Sequence, residues 1–189
     1  MNPRTLLDIL HVAERLKDTT RHCYTSGGRH ESVAEHSWRM TLMAYLVAEE
    51  FPEADLTKLL KMCLIHDLGE CFTGDIPAFD KTDAHRKRED ALLNSWVQTL
   101  PEPISSEWSA LFAEMDARVT LEAKIYKAMD GLEAVIQHNE SELSTWTDHE
   151  LELNLVYGYD KAAFSDYLIA LRDEIKADTI KKLKTEQRT

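Results

Sequence analysis

Apolar residues recur along most of this chain at intervals of three and four positions, which is the spacing of one face of an α-helix. The alternation of apolar and polar residues that is typical of β-strands is missing, and only 6 Gly and 5 Pro interrupt the chain. The pattern therefore predicts an all-α fold. The predicted helices cover about residues 4–17, 33–50, 53–68, 83–99, 103–116, 118–139 and 159–184.

Three of these helices carry further signals. A capping box of Ser32 and Glu35 predicts the start of the second helix. The first helix has an apolar face made of Leu6, Leu7, Leu10, Ala13 and Leu16. The last helix has an apolar face made of Phe164, Tyr167, Leu168, Leu171 and Ile175. Beyond it, the tail that ends at Thr189 is expected to be a fraying helix end.

The segments between the helices are predicted to be irregular. Residues 18–30 contain a Gly-Gly pair, and residues 70–82 contain one Gly and one Pro, so both segments are expected to be loops. Residues 140–158 are expected to be irregular or to hold one short helix. Because no linker, repeat or low-complexity segment divides the chain, it predicts a single domain over residues 1–189.

The charge balance is strongly acidic. The chain has 22 Lys and Arg against 34 Asp and Glu, a formal net charge of −12. Nucleic acids and anionic membranes attract basic surfaces, so neither is an expected partner. A small phosphorylated substrate in a locally positive pocket is compatible with this charge. No run approaches the roughly 18 apolar residues that indicate a membrane span.

The cysteines and the N-terminal residues bear on the cellular compartment. Cys23, Cys63 and Cys71 cannot all be paired with one another and form no C-x-x-C motif. Free thiols are typical of a reducing compartment. Residues 1–18 carry charges throughout and lack the apolar stretch of a signal peptide. These features predict a cytoplasmic protein.

Two of the 8 histidines lie at inward-facing helix positions. His36 is in register with Met40, four residues later, on the apolar stripe of the second helix. His66 follows Cys63 by three residues on the apolar stripe of the third helix. Residues three and four apart share one face of a helix, so both imidazoles are predicted to point towards the core.

Two aspartates accompany these histidines. Asp67 follows His66 at the end of its helix, where the partial negative charge of the helix terminus repels a carboxylate. An inward Asp without a partner is also costly to desolvate, and a bound cation would remove both problems. Asp130 lies at the edge of an apolar stripe on a later helix. Two His and two Asp suit Mn, Fe, Co, Ni or Zn, and the alternative is a buried His–Asp network without a metal.

Four short pieces of the chain resemble the motifs of a known family. They are residues 31–37 (ESVAEHS), 65–70 (IHDLGE) and 73–77 (TGDIP), followed by Asp130. On these pieces the chain resembles the HD-domain metal-dependent phosphohydrolases, and among them the 5′-deoxynucleotidases, a group of nucleoside 5′-monophosphatases. The resemblance implies a single-domain HD-type helical bundle. It covers a motif-bearing core at about 6–140 and leaves the C-terminal helices, about 141–189, less distinctive.

The resemblance also implies a role for individual residues. The implied metal ligands are His36, His66, Asp67 and Asp130. Glu70 and Asp75 are implied as acids of the catalytic pocket, and Arg21 as a cation that contacts the substrate. The implied cofactor is a divalent ion, Mn, Co, Fe, Ni, Zn or Mg. Bacterial members tend to have Trp directly after this Arg, whereas this chain has His22, so the base and the deoxy/ribo preference stay open.

The chemistry of phosphate ester hydrolysis is compatible with these roles. A phosphomonoester dianion needs charge neutralisation, an in-line nucleophile and a protonated leaving group. Arg21 has the two-donor geometry for phosphate oxygens, Glu70 can move a proton, and Asp75 can assist that transfer or hold a sugar hydroxyl. From the residues alone, the alternatives are an exposed loop Arg for Arg21, a solvated helix-end Glu for Glu70 and an ordinary turn Asp for Asp75.

We therefore expect a metal-dependent phosphohydrolase that releases phosphate from nucleoside 5′-monophosphates, preferably deoxy. One alternative keeps the metal site but acts on another phosphoester, such as a nucleoside di- or triphosphate or a non-nucleotide metabolite. The other alternative is a helical interaction module in which the metal is only a structural clip. The resemblance also implies a homodimer, and exposed apolar positions on the last helix would suit a two-fold interface.

Overall fold

The structure, a computed structural model, describes residues 1–77 and 79–186. Ten α-helices follow one another in this part of the chain: α1 Pro3–Ala13, α2 Val33–Leu46, α3 Leu56–Ile65, α4 Glu70–Thr73, α5 Asp83–Val97, α6 Ile104–Ala117, α7 Leu121–Glu140, α8 Asp148–Val156, α9 Tyr159–Ala162 and α10 Asp166–Glu186. Short 3₁₀ turns lie at Glu14–Lys17, Ala48–Glu50 and Leu143–Thr145. The all-α class predicted from the sequence is confirmed. Over the same residues, each helix is too short or too polar to cross a lipid bilayer.

The prediction of an irregular loop at residues 18–30 is wrong. Strands β1, Thr20–Tyr24, and β2, His30–Ser32, form an antiparallel hairpin there. Its turn is closed by the Gly28 amide, which donates to the carbonyl oxygen of Thr25 at 2.9 Å, and Gly28 has a φ of 79°. The hairpin is short and polar, so backbone pairing stabilises it without an apolar alternation that the sequence could display.

Two further boundaries differ from the prediction. The short helix α4 lies inside the predicted loop at residues 70–82. The predicted last helix is divided into α9 and α10, because the Ser165 hydroxyl accepts from the Leu168 amide at 3.4 Å and begins a new helix. α10 extends to Glu186, and residues 187–189 of the predicted fraying tail lie outside the described residues.

The long helix α7 lies at the centre of the core. It packs against α2, α3, α6 and α10. Its apolar face consists of fully buried side chains, among them Ile125, Met129 and Leu132. Met40 from α2 and Leu59 from α3 are buried in the same cluster. Each such side chain contributes about 1.5–3 kcal/mol through burial, so this packing holds α2, α3 and α7 in a fixed arrangement.

The apolar face predicted for the first helix belongs to the core only at its C-terminal end, where Leu16 is buried and Ala13 packs against the core. Leu6, Leu7 and Leu10 are exposed, Leu7 by 53%, whereas Ile9 is buried. The exposed leucines border an open groove of about 1210 Å³ that is also lined by Trp38 and other side chains of α2 and α3. Helical periodicity correctly identified an apolar face, but within the described residues Leu6, Leu7 and Leu10 of that face are exposed to solvent.

Candidate active site

Helices α2, α3 and α7 bring four side chains to one point. His36 Nε2 lies 3.3 Å from Asp130 Oδ1 and 3.8 Å from Asp67 Oδ2. His66 Nε2 lies 2.9 Å from Asp67 Oδ2 and 3.9 Å from Asp130 Oδ1. Both imidazole side chains are almost fully buried, as their helical registers predict. The four residues that sequence reasoning singled out as metal ligands are thus together.

The hydrogen bonds of the two histidines fix which nitrogen faces the aspartates. His66 Nδ1 lies 2.9 Å from the carbonyl oxygen of Cys63, which only accepts, so Nδ1 carries the proton. His36 Nδ1 donates in the same way to the carboxylate of Glu133. The Nε2 atoms therefore face the carboxylates of Asp67 and Asp130, and both Nε2 atoms are buried without a hydrogen-bond partner among the described residues. Nε2 atoms that face carboxylates in this way fit a bound cation, which takes the place of a proton.

The electrostatics of the cluster favour positive charge at its centre. Burial and Arg21 lower the pKa of His36, but Glu133 and Asp130 outweigh them and raise the pKa to about 9. Burial raises the pKa of Asp67, but the neighbouring His66 and His36 hold it well below its usual value. Groups that stabilise a shared proton so strongly also stabilise a metal cation in its place.

Glu133 is a residue that sequence reasoning missed. It is fully buried and lies between His36 Nδ1 and the guanidinium of Arg39, whose Nε donates to Glu133 Oε1 at 2.6 Å. Burial raises the pKa of Glu133, but His36, Arg21 and Arg39 lower it further, so the carboxylate is ionised. A carboxylate behind a metal-facing His fixes the ring orientation. Its spacing of three from Asp130, on the same helix face, is the signal that could have identified it.

The structure places Arg21 on strand β1 and not in an exposed loop. Its side chain is only 10% exposed, and Nε lies 3.2 Å from Glu31 Oε2. Nη1 lies 4.0 Å from Asp67 Oδ2, at the edge of the His–Asp cluster. Burial lowers the pKa of Arg21, but acidic neighbours that include Glu133 and Asp67 raise it overall, so the guanidinium is a permanent charge. The alternative of a solvated loop Arg is wrong.

Glu70 and Asp75 border the same cavity of about 260 Å³ as Arg21, Asp67 and Asp130. Glu70 begins α4 and is buried, and Asp75 follows Gly74, whose φ of 77° turns the chain at the end of α4. Burial raises the pKa of Glu70 to about 11, and the carboxylates of Asp67 and Asp75 act in the same direction. Glu70 is therefore not a solvated helix-end residue.

Two lysines of this cavity were not assigned to the site by the sequence. Lys127 Nζ lies 2.6 Å from Asp130 Oδ2, and the i to i+3 spacing of this pair was a signal in the sequence. Lys81 Nζ lies 2.6 Å from Glu89 Oε2 and 3.8 Å from Glu70 Oε1. The Lys81 side chain is only 15% exposed. The cavity thus combines carboxylates with cations, as an anionic substrate beside a metal requires.

Comparison with known proteins places the chain in a family. Residues 13–172 match the family model of the HD domain. The chain therefore belongs to the HD-domain family of hydrolases, and the sequence-based identification is confirmed. It is 33% identical to the 5′-deoxynucleotidase HDDC2 of Homo sapiens over 144 residues, which are 74% of this chain and 69% of the human protein. It is 29% identical to the 5′-deoxynucleotidase hdd1 of Schizosaccharomyces pombe over 173 residues, which cover 82% and 86%.

Solved structures show the same architecture. A protein from Magnetospirillum magnetotacticum MS-1, described as a predicted metal-dependent phosphohydrolase, superposes with a TM-score of 0.78 at 26% identity and covers 95% of each chain. A conserved hypothetical protein from Pyrococcus furiosus superposes with a TM-score of 0.69 at 31% identity, over 90% of this chain and 99% of its own. Both comparisons extend beyond the motif-bearing core into the C-terminal helices.

Proposed function

We propose that this chain is a metal-dependent 5′-deoxynucleotidase that hydrolyses deoxynucleoside 5′-monophosphates to a nucleoside and inorganic phosphate. The observation that carries the proposal is the buried His–Asp cluster, which opens into a cavity that also holds Arg21 and Glu70. The names of the human and fission yeast relatives point to the same activity. The cavity volume of about 260 Å³ suits a small monophosphate better than a larger substrate.

His36, His66, Asp67 and Asp130 are the residues that would hold the divalent ion. Their donor set of two imidazole nitrogens and two carboxylates suits a divalent ion such as Mn, Fe, Co, Ni or Zn. When bound, a divalent ion there supplies Lewis acidity towards a phosphate oxygen and towards water. Every other contribution to the reaction comes from the side chains of the chain itself.

Arg21 binds the phosphate in this account. Its guanidinium lies at the edge of the His–Asp cluster and is held by Glu31 on the neighbouring strand. Because the side chain is buried and always charged, its interaction with a phosphate oxygen is poorly screened by water. Arg21 therefore neutralises an oxygen of the substrate and orients the phosphorus for in-line attack.

Glu70 moves the proton in this account. A buried carboxyl group whose pKa is raised carries a proton at neutral pH and can donate it to a leaving oxygen. Lys81, 3.8 Å away, keeps a positive charge beside Glu70 and limits that rise. Asp75, on the same cavity wall, holds a sugar hydroxyl or assists the transfer.

The apolar and aromatic side chains of the cavity are placed to contact the nucleoside. Val135, Leu153 and Tyr157 come from α7, α8 and the residue that ends α8. Phe79 lies at the same wall and makes an edge contact with His22, with ring centroids 5.4 Å apart. An aromatic and aliphatic wall of this kind binds a base and a deoxyribose through apolar contact.

We further propose that residues 1–189 form one HD-type domain that assembles as a homodimer in the cytoplasm. The groove between α1, α2 and α3 supports a homodimer, since its exposed apolar side chains include Leu7, Trp38 and Tyr45. The last helix fits that role less well, because Leu168 and Ile175 are buried there. The three cysteines are buried free thiols, which suits a reducing compartment.

A substrate panel tests the proposed activity. Metal-loaded protein is incubated with deoxynucleoside and ribonucleoside mono-, di- and triphosphates and with sugar phosphates, and both phosphate and pyrophosphate are measured. We expect phosphate release from the deoxynucleoside monophosphates above all other substrates. Pyrophosphate release, or preference for a sugar phosphate, would show that the substrate belongs to another class of phosphoester. No turnover by protein that holds its metal would favour a non-catalytic module. Asp67→Asn serves as the matched inactive control.

A further inference from the structure

A second group of donor atoms lies where strand β1, the end of α7 and the start of α8 meet. His22 Nε2 lies 2.9 Å from Glu150 Oε1 and 3.2 Å from His138 Nε2. His138 Nε2 lies 3.6 Å from the same Glu150 oxygen. Ligand atoms about 2.1 Å from one ion are roughly 3.0–3.4 Å apart in octahedral or tetrahedral geometry. The 3.2 Å separation lies in this range, and the 2.9 and 3.6 Å separations lie just outside it, so the three atoms are close to the arrangement of one face of a coordination polyhedron.

Glu150 presents one oxygen to this group and has the other one occupied. Its Oε2 accepts from the Thr147 amide at 2.6 Å and from the Thr147 hydroxyl at 2.9 Å. Its Oε1 receives no well-aligned hydrogen bond from the described part of the chain, although the residue is only 2% exposed. A buried carboxylate oxygen without a donor is costly, and a cation at this point would satisfy it.

The two histidines are enclosed beside this oxygen, and the side chains of His22 and His138 are 30% and 9% exposed. The Cys23 thiol lies 3.7 Å from His22 Nε2 and belongs to the same group of potential ligands. The indole Nε1 of Trp146 donates to the His138 carbonyl oxygen at 3.1 Å and fixes the end of α7.

We propose that His22, His138 and Glu150 form a second metal site that takes a transition ion of the zinc class, with the Cys23 thiol at its fourth position. Two imidazoles, a carboxylate and a thiol are the ligands that Zn²⁺ and Co²⁺ prefer. The site differs from the His–Asp cluster in every ligand and is reached through the same cavity. It stands independently of the proposed deoxynucleotidase activity.

The proposed site joins three elements that are far apart in the sequence. His22 directly follows Arg21 on β1, so an ion bound here would fasten the hairpin that carries Arg21 to helices α7 and α8. The hairpin is otherwise held to α7 by polar contacts such as the bond from Gln137 Nε2 to the Tyr24 carbonyl oxygen, 2.7 Å long. The ion at this site therefore acts as a clip that positions Arg21.

Metal stoichiometry tests the proposal on the full-length chain. The protein is stripped with a chelator and dialysed against Co²⁺ or Zn²⁺, and bound metal per chain is measured by elemental analysis. We expect His138→Gln and Glu150→Gln to bind one equivalent fewer than the wild type, because loss of a direct ligand weakens binding by more than the roughly 10–100-fold of an outer-shell change. His149→Gln, an exposed neighbour on α8, should bind as the wild type does.

Spectroscopy adds a readout that does not depend on activity. Co²⁺-loaded wild-type protein should show a thiolate charge-transfer band that Cys23→Ser lacks, while Cys23→Ser still binds the ion. Unchanged stoichiometry and affinity in folded His138→Gln would overturn the proposal and leave a metal-free hydrogen-bonded network. If both His138→Gln and Glu150→Gln fail to fold, the unfolding temperature of Asp67→Asn is measured with and without Zn²⁺ instead. Zn²⁺ should raise the unfolding temperature of Asp67→Asn through the second site, and no rise would contradict the proposal.

Discussion

Helix α2 has two faces that reverse the usual distribution of polar and apolar residues. Its inner face carries His36, which is fully buried against the core. Its outer face carries Trp38 and Tyr45, which are 64% and 59% exposed. Buried polar groups and exposed aromatic groups are both unfavourable unless something binds them. The comparison therefore separates an inner face that fits a bound cation from an outer apolar face, at which we propose the contact of a homodimer.

The two faces of α2 differ in how many of their groups are already paired with or covered by other residues of the chain. On the inner face, Glu133 and Arg39 pair with one another and hold His36 Nδ1, so only its Nε2 is left for an external ligand. On the outer face, Leu6, Leu7 and Leu10 of α1 line the groove and are themselves exposed. On the inner face the chain itself occupies every position of His36 except Nε2, whereas on the outer face Leu6, Leu7 and Leu10 stay open to the groove.

The largest effect on the inner side is expected from Glu70→Gln. The substitution keeps the size of the side chain and removes its proton chemistry, so kcat on a deoxynucleoside monophosphate should fall by roughly 10²–10⁴. Metal content should stay at the wild-type level, because Glu70 is not among the four proposed ligands. Steady-state kinetics with Glu49→Gln, an exposed position, as control measures this. Turnover at the wild-type rate would remove Glu70 from the mechanism.

The next effect concerns the guanidinium of Arg21. Arg21→Ala removes a charge-assisted contact worth about 1.5–3 kcal/mol, which corresponds to roughly 10–150-fold in kcat/KM. Arg21→Lys keeps the charge but loses the two-donor geometry, so it should also be damaging. A higher KM with an unchanged kcat would indicate that Arg21 binds substrate and transition state equally well. Arg88→Ala, an exposed position on α5, is the control, and equal kcat/KM for all variants would show that Arg21 does not bind phosphate.

A smaller effect is expected from Glu133, which contacts His36 Nδ1 on the side of the ring away from the proposed metal. Glu133→Gln weakens the hold on His36 Nδ1 and should lower metal affinity by about 10–100-fold, as measured by competition with a chelating dye. Glu140→Gln is the matched control, because Glu140 contacts the same Arg39 but is far more exposed. Equal metal affinity in Glu133→Gln and wild type would mean that Glu133 only fills the core.

The outer face is tested by the oligomeric state. Trp38→Glu places a charge in the apolar groove and should shift the protein from dimer to monomer in sedimentation velocity at micromolar concentration. Val119→Glu introduces the same charge at a position that is 73% exposed and outside the groove, and should leave the dimer intact. A wild-type protein that is monomeric throughout would remove the proposed homodimer.

The smallest effect is expected at the start of α2, through the pH dependence of Glu35. The hydrogen bond from Arg29 is the main cause that lowers the pKa of Glu35 from 4.5 to about 2. Its contribution to stability is therefore present above about pH 4.5 and is lost as the pH falls towards 2. Because Glu35 is 42% exposed, Glu35→Gln should cost only about 0.5–1 kcal/mol at pH 7 and less at pH 3, by urea unfolding. An equal cost at both pH values would contradict this.

The inner face could be largely predicted from the sequence. Helical period placed His36 and His66 inside, and the position of Asp67 at a helix end favoured a cation over a metal-free His–Asp network. The pairs formed by Glu133 and by Glu150 could not be predicted, because their partners lie about 100 and about 130 residues away in the sequence. Such contacts depend on tertiary packing that no local pattern encodes.

The hairpin and the outer face escaped prediction for different reasons. The hairpin that carries Arg21 is stabilised by backbone pairing and by its contact with α7, neither of which requires an apolar alternation. On α1 the helical period correctly predicted an apolar face, but Leu6 and Leu7 of that face are exposed. Periodicity shows which residues share a face and does not show whether that face packs against the core or contacts solvent. Exposure is a property of the fold.

Removal and return of the metal tests the central claim most directly. Phosphate release from a deoxynucleoside monophosphate is measured before chelation, after chelation and after a divalent ion is added back, with circular dichroism to follow helix content. We expect activity to vanish on chelation while the helices persist, and to return with the ion in the wild type but not in Asp67→Asn. Activity that survives complete chelation, or helices that melt before activity is lost, would contradict a catalytic metal at the His–Asp cluster.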